Sequence, residues 1–252
     1  MAKRKKVITA GSLVKVVVYT VPQPRDPEHV RAAKSRVSSA AQKALNYRTA
    51  QGKLEMLLAA NFGPKDLFVT LTYDDDHLPR TCALAKDRIK GFIRAFRTER
   101  RKHGHDLKYV YVTEGKHRDK RYHHHLVINA VDDSDLETII SLWTYGAMVE
   151  VERFAGHEYI DVARYITKEN AEGKPVGAQM WTRSRNLVKP TVESCFVPED
   201  ETITAPPGAY VLEKEERVNE FGGFCYLKYR LPPERKPFHP RPAYKRKRVK
   251  TE

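Results

Sequence analysis

His123, His124 and His125 stand inside an apolar run, Tyr122 to Ile128, whose residue types predict a β-strand. Side chains alternate along a strand, so His123 and His125 share one face while His124 joins Leu126 and Ile128 on the other. Two imidazoles at that spacing can hold one metal ion, and an extended backbone keeps their separation fixed. A His-rich surface strand without an ion fits the same three residues, so the neighbours decide. Glu114 ends the preceding predicted strand, Tyr109 to Glu114. If the two strands pair as a hairpin its carboxylate can supply a third ligand; the alternative is a solvated strand-end glutamate. Two imidazoles and a carboxylate with open positions suit a divalent ion that accepts a phosphate oxygen, with magnesium or manganese both compatible.

A second reactive pair falls on a predicted helix, Tyr159 to Glu169, whose apolar stripe is Tyr159, Val162, Ala163 and Ile166. Tyr165 lies off that stripe and shares a face with Lys168, three residues on. A phenol titrates near about 10, and a neighbouring cation together with a metal-bound phosphate favours the phenolate that attacks phosphorus. An exposed Tyr and Lys on an amphipathic helix is the competing explanation.

The elements that must position these groups can be read along the chain. Leu13 to Tyr19 is valine-rich enough for a strand, and Ala40 to Asn61 reads as a helix from the recurrence of Tyr47, Ala50, Leu54 and Leu57. Phe68 to Tyr73 alternates as a strand and runs into Asp74-Asp75-Asp76. Ile89, Phe92, Ile93 and Phe96 then form one buried helical stripe, with Gly104 as the stop. A short helix near Asp133 to Trp143 and a strand near Met148 to Arg153 complete the order β-α-β-β-α-β-α. Such an order predicts an α+β fold with helices against an antiparallel sheet. Residues 172 to 231 carry no clear pattern.

Composition narrows the partners. The net charge is +14, with 46 Lys and Arg against 32 Asp and Glu, which points to a polyanion such as DNA or RNA. Lys3, Arg4, Lys5 and Lys6 at one end, and Arg235 through Lys250 among prolines at the other, read as mobile basic tails. Cys82, Cys195 and Cys225 are too far apart for a CxxC site or a disulfide framework, which fits a reducing cytoplasm. No stretch approaches the roughly 18 apolar residues of a membrane span, so a soluble, cytoplasmic protein is expected. No GxxxxGK[ST] motif occurs, so any helicase must come from elsewhere.

Three segments together resemble the HUH endonuclease superfamily, specifically the initiators of rolling-circle replication in plasmids, integrative elements and small single-stranded DNA phages. Phe68-Val69-Thr70-Leu71-Thr72-Tyr73 with the following Asp-Asp-Asp-His-Leu-Pro looks like the family's first motif. Tyr122 to Ile128 looks like its His-hydrophobic-His strand, and Arg164-Tyr165-Ile166-Thr167-Lys168 like its Tyr-x-x-Lys helix. The resemblance covers about residues 60 to 190 and implies a ferredoxin-like nicking domain. It implies that His123 and His125 bind the metal with Glu114 as the acidic partner, that Tyr165 is the nucleophile, and that Lys168 assists it. The expected DNA contacts are Thr70, Thr72 and Arg164, with Lys245, Arg246, Lys247 and Arg248 of the tail. Single-stranded origin DNA is the implied substrate, with a host or element helicase and a host polymerase as partners and no membrane.

One departure is His124, where the family usually has a bulky apolar residue, so a register with His124 as ligand stays open. A single tyrosine on the helix favours the one-tyrosine mode. Trp181 to Pro190, containing Ser184-Arg185-Asn186-Leu187, also resembles a segment recurrent in these initiators, without an assigned chemistry. The implied layout is an N-terminal strand and helix extension with a basic tail over 1–59, the nicking domain over 60–190, an irregular extension over 191–231, and a basic Pro-rich tail over 232–252. Rival readings are a relaxase or single-tyrosine transposase, a non-catalytic DNA-binding protein, and a non-haem iron oxygenase using His123, His125 and Glu114.

Overall fold

The computed structural model describes residues 3–21, 40–115, 121–154, 158–168, 180–219 and 222–232. Strands β1 (Lys3–Ala10) and β2 (Leu13–Thr20) and helix α1 (Ala40–Ala59) come first. The expected β-α-β-β-α-β-α series follows as β3 (Leu67–Thr72), α2 (Cys82–Lys102), β4 (Tyr109–Glu114), β5 (His123–Ile128), α3 (Ser134–Leu142), β6 (Val149–Arg153) and α4 (Tyr159–Thr167). The chain closes with β7 (Thr182–Arg183), β8 (Thr191–Val197), β9 (Tyr210–Asn219) and β10 (Gly222–Arg230). The protein is α+β, as its pattern predicts.

One antiparallel sheet runs β6-β3-β5-β4-β7. Its first four strands follow the ferredoxin-like order, in which the two βαβ halves interleave. Alternation divides the side chains of this sheet cleanly. Leu67, Val69, Leu71, Leu126 and Ile128 face α2 and α3, where they meet Ile89, Phe92, Ile93, Phe96, Ile139 and Trp143. Val110, Val112 and Val127 face the other way, against Leu54, Leu57 and Leu58 of α1 and Val162, Ala163 and Ile166 of α4. Helix α2 starts where the Thr81 hydroxyl accepts from the Leu84 N–H at 3.2 Å. At its end the amides of Gly104 (φ 75°) and His105 reach back to the carbonyls of Arg101 and Arg100, a Schellman closure that only a residue tolerant of positive φ allows cheaply.

Two expectations need correction. The basic run Lys3 to Lys6 is not a free tail: it belongs to β1, which pairs with β2 on one side and β8 on the other. Residues 191–231 are not irregular either, because β8, β9 and β10 complete a second antiparallel sheet in the order β8-β1-β2-β10-β9. The reason is non-local pairing. Tyr210 to Asn219 carries charge on both faces because it is a solvated edge strand, which leaves no alternation to read. Tail residues Lys245, Arg246, Lys247 and Arg248 lie outside the described residues.

Helix α1 lies between the two sheets. Leu54, Leu57 and Leu58 pack toward α4, while Met56 and Ala59 pack on Ala10 and Leu13 of the second sheet. Apolar residues therefore surround its C-terminal half. The expected stripe of Tyr47, Ala50, Leu54 and Leu57 describes one of two packed faces. Glu55 on the same helix meets Lys228 of β10 at 3.0 Å with both side chains buried, an ion pair that joins the two layers.

Candidate metal centre and tyrosine face

Pairing of β4 with β5 sets Glu114 opposite His123 and Val112 opposite His125. Glu114, His123 and His125 thereby emerge on one face. Glu114 Oε2 is 3.2 Å from His123 Nε2 and 3.6 Å from His125 Nε2. The hairpin leaves β4 through Gly115 at φ 116°, where an added Cβ would sit 2.6 Å from Tyr122 Cα. Only glycine lets the chain turn this close to the histidine strand.

The second nitrogen of each imidazole is held by the frame. His123 Nδ1 lies 3.0 Å from the Arg121 carbonyl, which can only accept, so the proton is on Nδ1 and Nε2 keeps its lone pair. His125 Nδ1 lies 3.1 Å from the Thr70 hydroxyl, directly across the β3–β5 ladder, and donation to it frees Nε2 in the same sense. Metal-binding histidines are typically oriented this way. Phe68 stacks parallel to the His125 ring at 5.8 Å.

Both Glu114 carboxylate oxygens and His125 Nε2 are buried without a hydrogen-bond partner. Orphaned buried polar atoms are costly, and a divalent cation between the three side chains would satisfy all of them. The ligand atoms lie within 4.8 Å of one another, so one ion can reach them all. Burial pushes the Glu114 pKa up, but the His123 and His125 imidazoles outweigh it and hold it at about 2. The carboxylate is therefore ionised and ready to ligate. The residues fit a cation.

His124 points to the opposite face, fully buried, with Nε2 at 2.7 Å from the Tyr73 hydroxyl and Nδ1 at 3.0 Å from the Thr113 hydroxyl. Burial, reinforced by the charges of His123 and His125, lowers its pKa to about 3 and keeps it neutral. With both nitrogens engaged, His124 has no lone pair to offer a metal. The register left open by the sequence is closed.

Tyr165 projects from α4 on the metal-site face, 46% exposed, its ring edge-on to His125 at 4.9 Å and to Phe68 at 6.0 Å. Lys168 Nζ stands 3.7 Å above the centre of the Tyr165 ring. The ammonium therefore acts on the phenol through the ring face. A cleft of about 350 Å³ opens beside the phenol between α4 and β6, walled by Glu150, Glu152 and Asp161. Tyr159 instead packs inward and donates its hydroxyl to the Phe62 carbonyl at 2.8 Å.

Residues 66–170 match a family of replication-associated proteins typified by ORF2. The matched stretch runs from β3 to just beyond α4 and contains all three segments that carry the chemistry. No curated protein matches the chain. Among solved structures, the hypothetical protein ORF119 from Sulfolobus islandicus rod-shaped virus 1 is similar at 13% identity and a TM-score of 0.36, covering 49% of this chain and 97% of that one. No described helix is long and apolar enough to cross a membrane.

The structure thus brings Glu114, His123, His125 and Tyr165 onto one face, with Lys168 at its rim. The Thr70 and Thr72 hydroxyls, expected on DNA, are engaged by His125 and by the Met148 carbonyl, the latter at 2.7 Å. Arg164 is exposed, with Asp161 at 3.7 Å. Sequence reasoning missed the supports from α1: Tyr47 donates to the Thr167 carbonyl at 2.8 Å, and Gln51 to the Thr167 hydroxyl at 3.2 Å. They clamp the tyrosine helix. Nothing in their spacing announces it, because the contact spans more than a hundred residues of chain.

Proposed function

We propose that this protein nicks and rejoins single-stranded origin DNA as an initiator of rolling-circle replication. The observation that carries the reading is the single face on which an exposed tyrosine lies edge-on to a histidine whose orphaned nitrogen adjoins a buried carboxylate. Similarity to a family of replication-associated proteins, and a net charge of +14, support DNA as the substrate. Glu114, His123 and His125 would hold a magnesium or manganese ion, which when bound draws electron density from the scissile phosphate.

The remaining chemistry belongs to the chain. The Tyr165 hydroxyl oxygen attacks phosphorus as phenolate, its negative charge favoured by the Lys168 ammonium above the ring. The bond from phosphorus to the 3′ oxygen breaks, leaving a 5′-phosphotyrosine and a free 3′-hydroxyl that can prime a polymerase. Attack of a later 3′-hydroxyl on the phosphotyrosine reverses the exchange without an external energy source. A helicase would open the duplex from outside this chain.

The test is incubation of single-stranded oligonucleotides from the gene's own replicon with the protein and Mn²⁺ or Mg²⁺. A covalent adduct should form, and mass spectrometry should locate it on Tyr165. The His123→Ala/His125→Ala variant should keep single-strand binding and lose cleavage. Unchanged cleavage by that variant, or an adduct on another residue, sinks the assignment.

A further inference from the structure

At the other end of β4 from Glu114, and on the opposite face of the sheet, α2 and the segment around β7 enclose a groove of about 490 Å³. Five residues of strand separate Tyr109 from Glu114, about 17 Å at some 3.4 Å each, so the groove is a different place from the metal centre. Its walls carry Arg97 and Arg101 from α2 and Arg183 and Arg185 from the β7 segment, opposed by Asp106 alone. Arg101, Arg183 and Arg185 are exposed, and none forms an ion pair with a described residue.

The segment that presents two of these arginines is fixed by its own alternate residues. Ser184 is buried, its hydroxyl accepting from the Tyr109 N–H at 3.1 Å while its N–H donates to the Tyr109 carbonyl at 2.9 Å. Leu187 is buried against the α1 and α4 core. A Ser-Arg-Asn-Leu sequence thus tethers its first and last side chains and turns Arg185 outward. Unpaired guanidiniums held on a rigid backbone beside a helical row of arginines suit bidentate contact with phosphate oxygens.

Single-strand sites add aromatic platforms on which bases stack. Here the one aromatic ring of the groove, Tyr109, is 8% exposed and lies beneath the Arg97 guanidinium, which donates to its hydroxyl at 3.2 Å. No ring is offered to a base. The walls read backbone charge only, which is how sequence-independent duplex contacts are made.

We propose that this groove holds the phosphate backbone of double-stranded DNA flanking the strand that enters the tyrosine face. The choice of DNA over RNA rests on the proposed nicking function; the groove's affinity for a duplex backbone does not, and the test reads binding without cleavage. Arg101→Gln/Arg183→Gln/Arg185→Gln in the full chain should be compared with the native protein on a short random-sequence DNA duplex and on a single strand of the same length, across a salt series. Three lost phosphate contacts should flatten the duplex salt slope by about 2–3 units and weaken duplex binding by roughly tenfold or more at low salt. Single-strand binding should stay within about twofold, since its site is the other face. The corresponding triple lysine variant keeps the charges and should retain most of the duplex affinity. An unchanged duplex slope, equal loss on single strands, failure of the lysine variant alongside the glutamine one, or preference for an RNA duplex would each overturn the proposal.

Discussion

Replacing His124 by leucine separates structural from metal-binding histidines. The leucine fills the apolar face of β5 but leaves two hydroxyls without their partner. Tyr73, 4% exposed, loses its 2.7 Å bond and keeps only a 3.5 Å approach to the Ala85 carbonyl, whereas half-buried Thr113 loses a 3.0 Å bond but can still turn toward water. One fully buried orphan costs about 1–3 kcal/mol, with a smaller amount for Thr113. At roughly 2–4 °C per kcal/mol in a chain of this size, the melting temperature should fall by about 3–10 °C. Adding Tyr73→Phe removes the worse orphan, so the double variant should be more stable than His124→Leu, although Tyr73→Phe alone destabilises the native protein. Melting should be followed with divalent metal chelated, because an ion bound only by the native state raises stability by mass action. Calorimetric titration with Mn²⁺ should give His124→Leu the native affinity and His125→Ala almost none. A His124→Leu variant that melts like the native protein, or that loses Mn²⁺ as His125→Ala does, refutes the reasoning.

Tyr165→Phe should fold normally and form no adduct, because its half-exposed hydroxyl has no structural role comparable to that of Tyr159; Tyr159→Phe should keep cleavage and lose about 1 kcal/mol of stability with its bond to Phe62. If denaturation shows Tyr165→Phe to be the less stable of the two, the assignment of roles is reversed. Lys228→Met should destabilise by about 3–5 kcal/mol in urea unfolding, since it strands buried Glu55 without its cation, and Glu55→Leu in the same chain should restore most of that loss. An additive double variant would show the pair to be uncoupled. Gly115→Ala forces a Cβ into Tyr122 at positive φ and should weaken Mn²⁺ binding about tenfold by shifting Glu114 against His123, a change comparable to loss of an outer-shell contact; native affinity would show the turn to be irrelevant to the site.

How much of this was legible depends on the range of the interactions. Alternation placed His123 and His125 on one face and His124 on the other, and helical periodicity set Tyr165 outside the buried stripe of Val162, Ala163 and Ile166. Both are rules of a single element, fixed by backbone geometry within a few residues. The apolar stripe of α2 was readable for the same reason. Whether Glu114 and the histidines meet depends on a pairing across a turn; a hairpin is local enough to anticipate, but not the 3.2 Å and 3.6 Å separations that leave the carboxylate oxygens orphaned. The second sheet was invisible. Its strands come from opposite ends of the chain, and the charged face of β9 follows from its position at an edge. Helix α1 read as having one packed face because periodicity reports burial on a single side, whereas two sheets bury it on both. The arginine groove required tertiary structure too, since Arg97 and Arg101 lie on one helix and Arg183 and Arg185 some eighty residues later. Sequence determines which face of an element each residue occupies; which faces meet is decided by long-range packing, in which each contact gains its energy only after the others have closed the chain.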